Sequence, residues 1–446
     1  MALDVQRNWD VCMAENLERV TKESDQPKDK KDARETTRAE KPKIWKSEPV
    51  YLPDEIIIQI LEYVSRFHES QYTLASCCLL SRQWYSAAVP MLYASPYLYG
   101  KNFDPFQAVM IPSRNLHVRD SPLASLVKIL DLRGLVHQAS RRITARLLGR
   151  TKGNLEAFIA PQASFGTNSF AALAKCHQLR ILDLSLVSES PPLFELLKTV
   201  SRLDNLTTFR LPRSSGFSTD VNPALITWPR RLENLALSGG IDAHFMHGIV
   251  ALPSTLRSLT IEHCPSAKGF ALMHMLRAAV RPLAHLETLK LANLPRLSGS
   301  ACDNVLFILP GLTRLSISVD YITPALFDFD VSSHREAIEC HYPTLPHAES
   351  LPTRHQWTDG KQCELRTLEL TNSGNPGVED KVSPIDIVIA LDEGALPNLR
   401  QVRVDKTLLW QASATAADVD ALADALKEAA VQRGEDESTS TGVWTF

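Results

Sequence analysis

The sequence predicts an α/β chain in which a small three-helix unit precedes a long solenoid of alternating short strands and helices. Two observations carry most of this expectation. Beyond residue 120 a hexapeptide of the form L-x-x-L-x-L returns ten times. A period held over so long a stretch marks a stacked-repeat architecture rather than a set of separate cores. Ahead of it, residues 51–64 place apolar side chains at the spacing of an amphipathic helix. Composition agrees, since 44% hydrophobic and 22% charged residues among 446 exclude wholesale disorder, a collagen-like fibre and a disulfide miniprotein.

Residues 1–48 are read as a disordered arm. The stretch TKESDQPKDKKDARETTRAEKPKIWKSE alternates Lys and Arg with acids and holds almost nothing apolar before Ile44 and Trp45, so burial cannot offset its ordering entropy. Acids interrupt every basic run of the KDKKDAR patch, which makes it a poor nuclear-localisation signal. The first twenty residues are charged and lack the apolar core of a secretory signal. No apolar run approaches the ~18 residues that would span a bilayer. Eight thinly spread cysteines without a CxxC fit reduced thiols, so the expected setting is cytoplasm and/or nucleus, with no membrane contact. A charge sum of −3 supplies no positive field for nucleic acid.

At residue 49 the character changes. In YLPDEIIIQILEYV, Pro53 suits the first helical position, and Asp54 and Glu55 suit the positive helix end. Ile56, Ile57, Ile60, Leu61 and Val64 supply the stripe. Leu74, Cys77, Cys78 and Leu80 predict a second helix. Trp84, Ala87, Ala88 and Leu92 predict a third, which Pro90 is expected to end or kink. A unit of about 45 residues is too small to bury so many apolar side chains by itself, so some of them must face a partner.

These residues resemble the F-box. Leu52-Pro53-Asp54-Glu55, an Ile-rich helix to Val64, a Leu-rich segment from Leu74 to Leu80 and then Ser81-Arg82-Gln83-Trp84 follow that family's order. Ser81 stands where its commonest members carry Cys, and the first loop is slightly long. The resemblance implies that residues 49–95 dock a Skp-type adaptor through Leu52, Pro53, Ile56, Ile60, Leu61, Leu74, Leu80 and Trp84. For some of these, Trp84 above all, holding the three helices together is the alternative role.

The hexapeptides begin at Val127, Leu155, Leu179, Leu206, Leu232, Leu256, Leu286, Leu312, Leu365 and Leu399, and the seven steps from Val127 to Leu312 cover 185 residues, or 26.4 each. On an extended strand the fourth and sixth positions point into a core, while the third, fifth and seventh point outward. Phe170 to Cys176 and Phe270 to Val280 read as linking helices. This pattern resembles leucine-rich repeats, which implies a parallel concave sheet with convex helices over residues 124–410, after a connector at 96–123. Two departures stand out. The ninth repeat position, where the family commonly carries Asn or Cys, holds Cys264 but otherwise Val187, Ser214, Gly240, Leu294 and Ser373. Leu312 to Leu365 is two periods without an intervening strand, so residues 330–362 read as an insertion rich in Pro and His. Residues 411–432 read as a capping helix, with Thr415 and Asp418 as a capping box and Val419, Leu422 and Leu426 as its stripe. Residues 433–446 read as a disordered tail.

No phosphate-cradling loop, GxSxG elbow, HExxH or strand-following GxGxxG is present. Cys340, His341, His347, His355 and Cys363 are zinc-type residues without the short paired spacing that pre-positions two donors, so neither metal nor cofactor is expected. His244-x-x-His247 lacks a third ligand, and Asp328 and Asp330 in FDFD read as a half-buried strand rather than an acid pair. The outward fifth positions run Asp131, Ile159, Asp183, Arg210, Ala236, Thr260, Lys290, Ser316, Glu369 and Arg403. Their signs alternate, which suits a protein ligand or a modified peptide better than a polyanion. Asp183, Arg210, Lys290, Glu369 and Arg403 are the candidate contacts, although at any one position a merely solvated sheet face accounts for the residue equally well.

An F-box followed by leucine-rich repeats resembles the substrate receptors of SCF (cullin–RING) ubiquitin ligases. That resemblance implies a non-catalytic subunit that joins the adaptor, and through it the cullin–RING ligase, to an unidentified protein substrate. One alternative is a repeat scaffold that binds the adaptor without ligase turnover. Another is a regulator similar to the leucine-rich-repeat GTPase activators, for which the GEDE tail is too short.

Overall fold

The computed structural model describes residues 51–67, 70–112, 121–135, 140–189, 191–214, 223–248, 252–278, 285–297, 299–329, 363–374, 381–412, 415–435 and 441–446. The arm at 1–48 and the insertion at 330–362 lie outside them. Pro53–Phe446 is one compact unit.

The chain enters this unit through α1 (Asp54–Ser65), α2 (Ser70–Cys77) and α3 (Arg82–Ala94), with α3 packed against both others. Asp54 and Glu55 occupy the first turn of α1, where the helix dipole favours them. Ser81 caps α3 by accepting the Trp84 N–H at 3.3 Å, so the serine that departs from the commoner cysteine has a definite local task. Two expectations need correcting. Pro90 does not end the third helix, which runs on to Ala94. Its ring lies on the exposed side, as does Ser86 four residues earlier, so the carbonyl left without a helical donor can face water. Leu80 lies beyond the end of α2, in the turn before Ser81.

The expected connector contains a further helix, α4 (Gly100–Met110), anchored by buried Phe103, Phe106 and Met110. Asn102 locks its start, accepting from Tyr99 N at 2.9 Å and donating to Tyr97 O at 2.7 Å.

Eleven parallel strands follow in strict chain order. They are β1 (Ile129–Asp131), β2 (Ala157–Ile159), β3 (Ile181–Asp183), β4 (Thr208–Arg210), β5 (Asn234–Leu237), β6 (Ser258–Glu262), β7 (Thr288–Ala292), β8 (Arg314–Ser318), β9 (Thr367–Thr371), β10 (Gln401–Val404) and β11 (Gly442–Thr445). Between them run α5 (Arg141–Thr151), α6 (Phe170–Leu173), α7 (Leu193–Val200), α8 (Ala243–Gly248), α9 (Gly269–Ala278), α10 (Val305–Ile308), α11 (Pro384–Asp392) and α12 (Ala416–Gln432). Each hexapeptide supplies one strand. The fourth-position residues from Leu130 and Phe158 to Leu368 and Val402 are all buried, as period-2 alternation requires.

Register is uniform. Asp131 pairs with Ile159, Ile159 with Asp183, and so on through Arg210, Ala236, Thr260, Lys290, Ser316 and Glu369 to Arg403 and Trp444. The fifth repeat positions therefore form one continuous row across the sheet.

The turns are closed by side chains reaching back one repeat. Ser214 Oγ donates to Val187 O at 3.1 Å, and Cys264 Sγ lies 3.8 Å from Leu237 O. A second set precedes the first leucine of a repeat. Asn154, Asn205 and Asn398 donate to Ser125, His177 and Cys363 carbonyls at 2.7–2.9 Å. These bonds satisfy backbone that no strand or helix pairs.

β8 and β9 pair directly, from Arg314↔Thr367 to Ser318↔Thr371, so the sheet is continuous across the insertion. A buried network closes the seam. Asp320, fully buried, accepts from Ser373 N at 2.9 Å and Ser318 Oγ at 3.2 Å and pairs with Lys381 at 2.9 Å. The Tyr321 hydroxyl accepts from Leu294 N at 2.7 Å and lies 2.6 Å from Ser373 Oγ. FDFD is not a strand: Pro324–Phe327 form a 3-10 turn with Phe327 buried, because Pro324 favours a helical turn start. Asp330 lies outside the described residues.

At the far end, the tail read as disordered supplies β11, which pairs Val402↔Val443 and Arg403↔Trp444. The open edge of β10 offers backbone partners that local composition cannot reveal. α12 forms as expected, with Leu422 and Leu426 buried. Thr415 does not cap it, since its hydroxyl bonds backward to Trp410 O at 3.0 Å.

At the near end, residues 94–98 run alongside β1. Lys128 N donates to Ala94 O at 2.9 Å, and a Cβ on Gly134 would stand 2.8 Å from Leu98 O. Glycine at 134 permits this approach of one backbone to another.

Candidate binding surfaces

α1 has two apolar faces. Ile57 and Leu61 point into the helical core and are fully buried. Ile56, Ile60 and Tyr63, spaced 4 and 3 residues apart, are exposed on the other side, and exposed Phe67, two residues past the helix end, meets the Tyr63 ring edge to face at 5.3 Å. Among the expected docking residues, Pro53, Ile56, Ile60 and Leu80 are exposed, and Leu52 and Trp84 are half-buried. Leu61 and Leu74, at 0% and 1% exposure, are core residues and are withdrawn from any docking surface. Tyr63, Phe67, Tyr72 and Leu79 are exposed apolar residues that the sequence reading overlooked; the i, i+4, i+7, i+11 spacing of 56, 60, 63 and 67 was the available signal.

The candidate contacts on the sheet face are brought together as cross-strand pairs. Arg210 Nη1 donates to Asp183 Oδ2 at 3.2 Å, and Asp183 Oδ1 accepts from Ser185 N at 2.9 Å. Arg403 Nη1 donates to Glu369 Oε2 at 3.2 Å, Ser316 Oγ donates to Glu369 Oε1 at 3.1 Å, and Arg403 lies 5.2 Å from the centre of the Phe446 ring. Lys290 pairs diagonally with Glu262 at 3.6 Å. Partly exposed pairs of this kind contribute at most about 1 kcal/mol each to stability, so their larger effect is on the charge the face displays. Asp183 and Glu369 are held beneath their basic partners and offer little surface of their own.

Among the described residues no three metal-ligating side chains come together. His247 meets the rings of His274 at 4.6 Å and Phe270 at 5.2 Å. Of the five zinc-type residues, Cys363 alone is described, and it is buried. Burial pushes the Cys78 thiol up to about 11 and those of Cys176 and Cys264 up to about 12, which leaves them protonated and poorly nucleophilic near neutral pH. No described helix is long and apolar enough to cross a membrane.

Comparison with known proteins accords with this geometry. The F-box-like family model matches residues 50–99. The F-box protein YDR306C of Saccharomyces cerevisiae is 31% identical over 336 residues, which cover 74% of this chain and 63% of that protein. Protein pof5 of Schizosaccharomyces pombe is 26% identical over 363 residues, 80% of this chain and 92% of that one. The likeness to both extends far beyond the helical unit and into the strand repeats. Residues 50–99 are an F-box-like domain, carried on a chain homologous to these fungal proteins.

Proposed function

We propose that this chain is the substrate-recognition subunit of an SCF-type cullin–RING ubiquitin ligase acting in cytoplasm and/or nucleus. The F-box-like unit docks a Skp-type adaptor, and the solenoid, read as leucine-rich repeats, holds a protein substrate. The observation that carries the reading is the outer stripe of α1, Ile56, Ile60 and Tyr63, continued by Phe67 just beyond the helix end, within a unit that a family model identifies as F-box-like. Three large apolar side chains left in water on one helix face, with a fourth just past its end, call for a protein partner. The receptor breaks and makes no bond itself. It turns ubiquitin transfer from an encounter between free molecules into a step between tethered ones, and effective molarity supplies the acceleration.

Co-purification with a Skp-type adaptor tests this. The wild-type chain retains the adaptor and, through it, cullin, while Ile56→Asp/Ile60→Asp loses both at unchanged helical circular dichroism. Absence of adaptor from the wild-type sample refutes the proposal. Adaptor without cullin supports the scaffold reading instead.

A further inference from the structure

Both signs occur along the fifth-position row, but the two are not equally exposed. In the Arg210–Asp183 pair the side chains are 56% and 10% exposed, in Lys290–Glu262 42% and 24%, and in Arg403–Glu369 41% and 19%. In every case the acid lies beneath and the cation is presented. In the ion pairs just before the strands the acids stay well exposed, at 42% for Glu156 and 51% for Glu287. A face whose formal charges balance therefore shows a ligand mainly cations.

The centre of the row has a definite layout. Arg210 on β4 and Lys290 on β7 share a register line, with only Ala236 and Thr260 between them. Three strand spacings of about 4.8 Å separate them by ~14 Å. In the parallel line two residues earlier, Asn234, Ser258 and Thr288 are small and uncharged, and the line reaches exposed Arg314 on β8. The result is a shelf of short side chains with cations on both sides.

We propose that this shelf binds an extended acidic segment of a protein partner, with acidic residues four positions apart seated on Arg210 and Lys290. Four extended residues span about 13 Å, and an even spacing turns both acids to the same side. The short side chains of Ala236 and Thr260 leave room for the segment's backbone between the two anchors. Arg213, exposed just beyond β4, adds a positive charge at the rim. Burial and the fields of Arg213 and Lys290 hold His263 below the usual imidazole range, Glu262 opposing. Nucleic acid fits less well, because no aromatic side chain stands among the shelf residues to stack a base. The inference rests on the receptor reading above and names the chemistry of what the solenoid would hold.

The test pans a random 12-residue peptide library against the full chain bound to its adaptor. The expected pool is enriched in Asp or Glu at i and i+4. Arg210→Gln/Lys290→Gln abolishes that enrichment while retaining the adaptor. Arg213→Glu/Arg314→Glu, which breaks no ion pair found among the described residues, weakens the best selected peptide at least tenfold and guards against misfolding of the first variant. A pool without acidic bias, or one selected equally by both variants, overturns the proposal. Displacement of the selected peptide by a 12-nucleotide oligo(dT) at equal concentration would show a nucleic-acid surface and also overturn it. Because adaptor retention is read separately, failure of this inference and failure of the receptor reading are distinguishable.

Discussion

Ile60 and Leu61 are adjacent in sequence and opposite in consequence. Leu61 is fully buried, so Leu61→Ala removes three carbons from a packed core at a cost of 2–5 kcal/mol. It touches nothing a partner could reach. Ile56 and Ile60 are 41% and 39% exposed. Each loses three carbons on truncation to Ala, worth about 2.4 kcal/mol if wholly removed from water, of which roughly two-fifths remains for a partner to bury. That is about 1 kcal/mol per residue and ~2 kcal/mol for the pair, or roughly thirtyfold in affinity. Titration calorimetry against purified adaptor and thermal denaturation should therefore cross. Ile56→Ala/Ile60→Ala weakens adaptor binding about thirtyfold, whereas Leu61→Ala leaves affinity within twofold and gives the larger drop in Tm per residue changed. If Leu61→Ala weakens the adaptor as strongly as the pair does while remaining folded, or if the pair leaves affinity unchanged, the two-faced reading of α1 is wrong.

Tyr321→Phe deletes one oxygen that Leu294 N–H and Ser373 Oγ both engage and should cost about 2 kcal/mol in urea denaturation; no change would mean the seam is held by packing alone. Gly134→Ala forces a methyl against Leu98 O and should cost ~1–3 kcal/mol, accompanied by faster chymotryptic cleavage at Tyr97 and Tyr99. The raised thiols give a pH signature. Cys176 and Cys264 stay neutral to about 12 when folded but ionise near ~8.5 when unfolded. Their contribution is present below that pH and is lost as pH climbs from about 9 towards 12, so the urea midpoint should fall over that window, and iodoacetamide at pH 8.5 should label them only in denaturant. Ending the chain at Glu435 removes β11 and exposes the edge of β10, which should raise the aggregation rate in light scattering relative to the intact chain.

The strand positions were legible because a hexapeptide repeat states both a period and a face, and ten strands fall on it in one register. The helical unit was legible for a similar reason, although the stripe read as a single surface proved to be two, since helical spacing alone does not tell which side of α1 the other helices cover. Less was visible where a neighbour decides the outcome. β11 is four residues behind an acidic run, and its order comes from the open edge of β10. Pro90 is tolerated because its side of α3 is exposed. The asparagines at 154, 205 and 398 close turns one repeat away, which is a relation between repeats rather than a pattern within one. Mixed charge on the sheet face was readable, but which partner of each pair lies beneath the other depends on side-chain length and on neighbours such as Ser185 and Ser316. That vertical order distinguishes a neutral face from a cationic one.

The direct pairing of β8 with β9 has a consequence for how the molecule can change. Because the sheet passes from Ser318 to Thr371 without a break, and Asp320, Tyr321 and Ser373 close the seam from within, the pairing of β8 with β9 does not fix the length of chain between Phe329 and Cys363. For a freely ranging connection, doubling the length adds only about 0.6 kcal/mol of closure entropy. The other steps between hexapeptides run from 24 to 34 residues and keep one register, but none approaches the 53 residues from Leu312 to Leu365. A lineage can therefore change the length of this connection while the strands on either side keep their pairing.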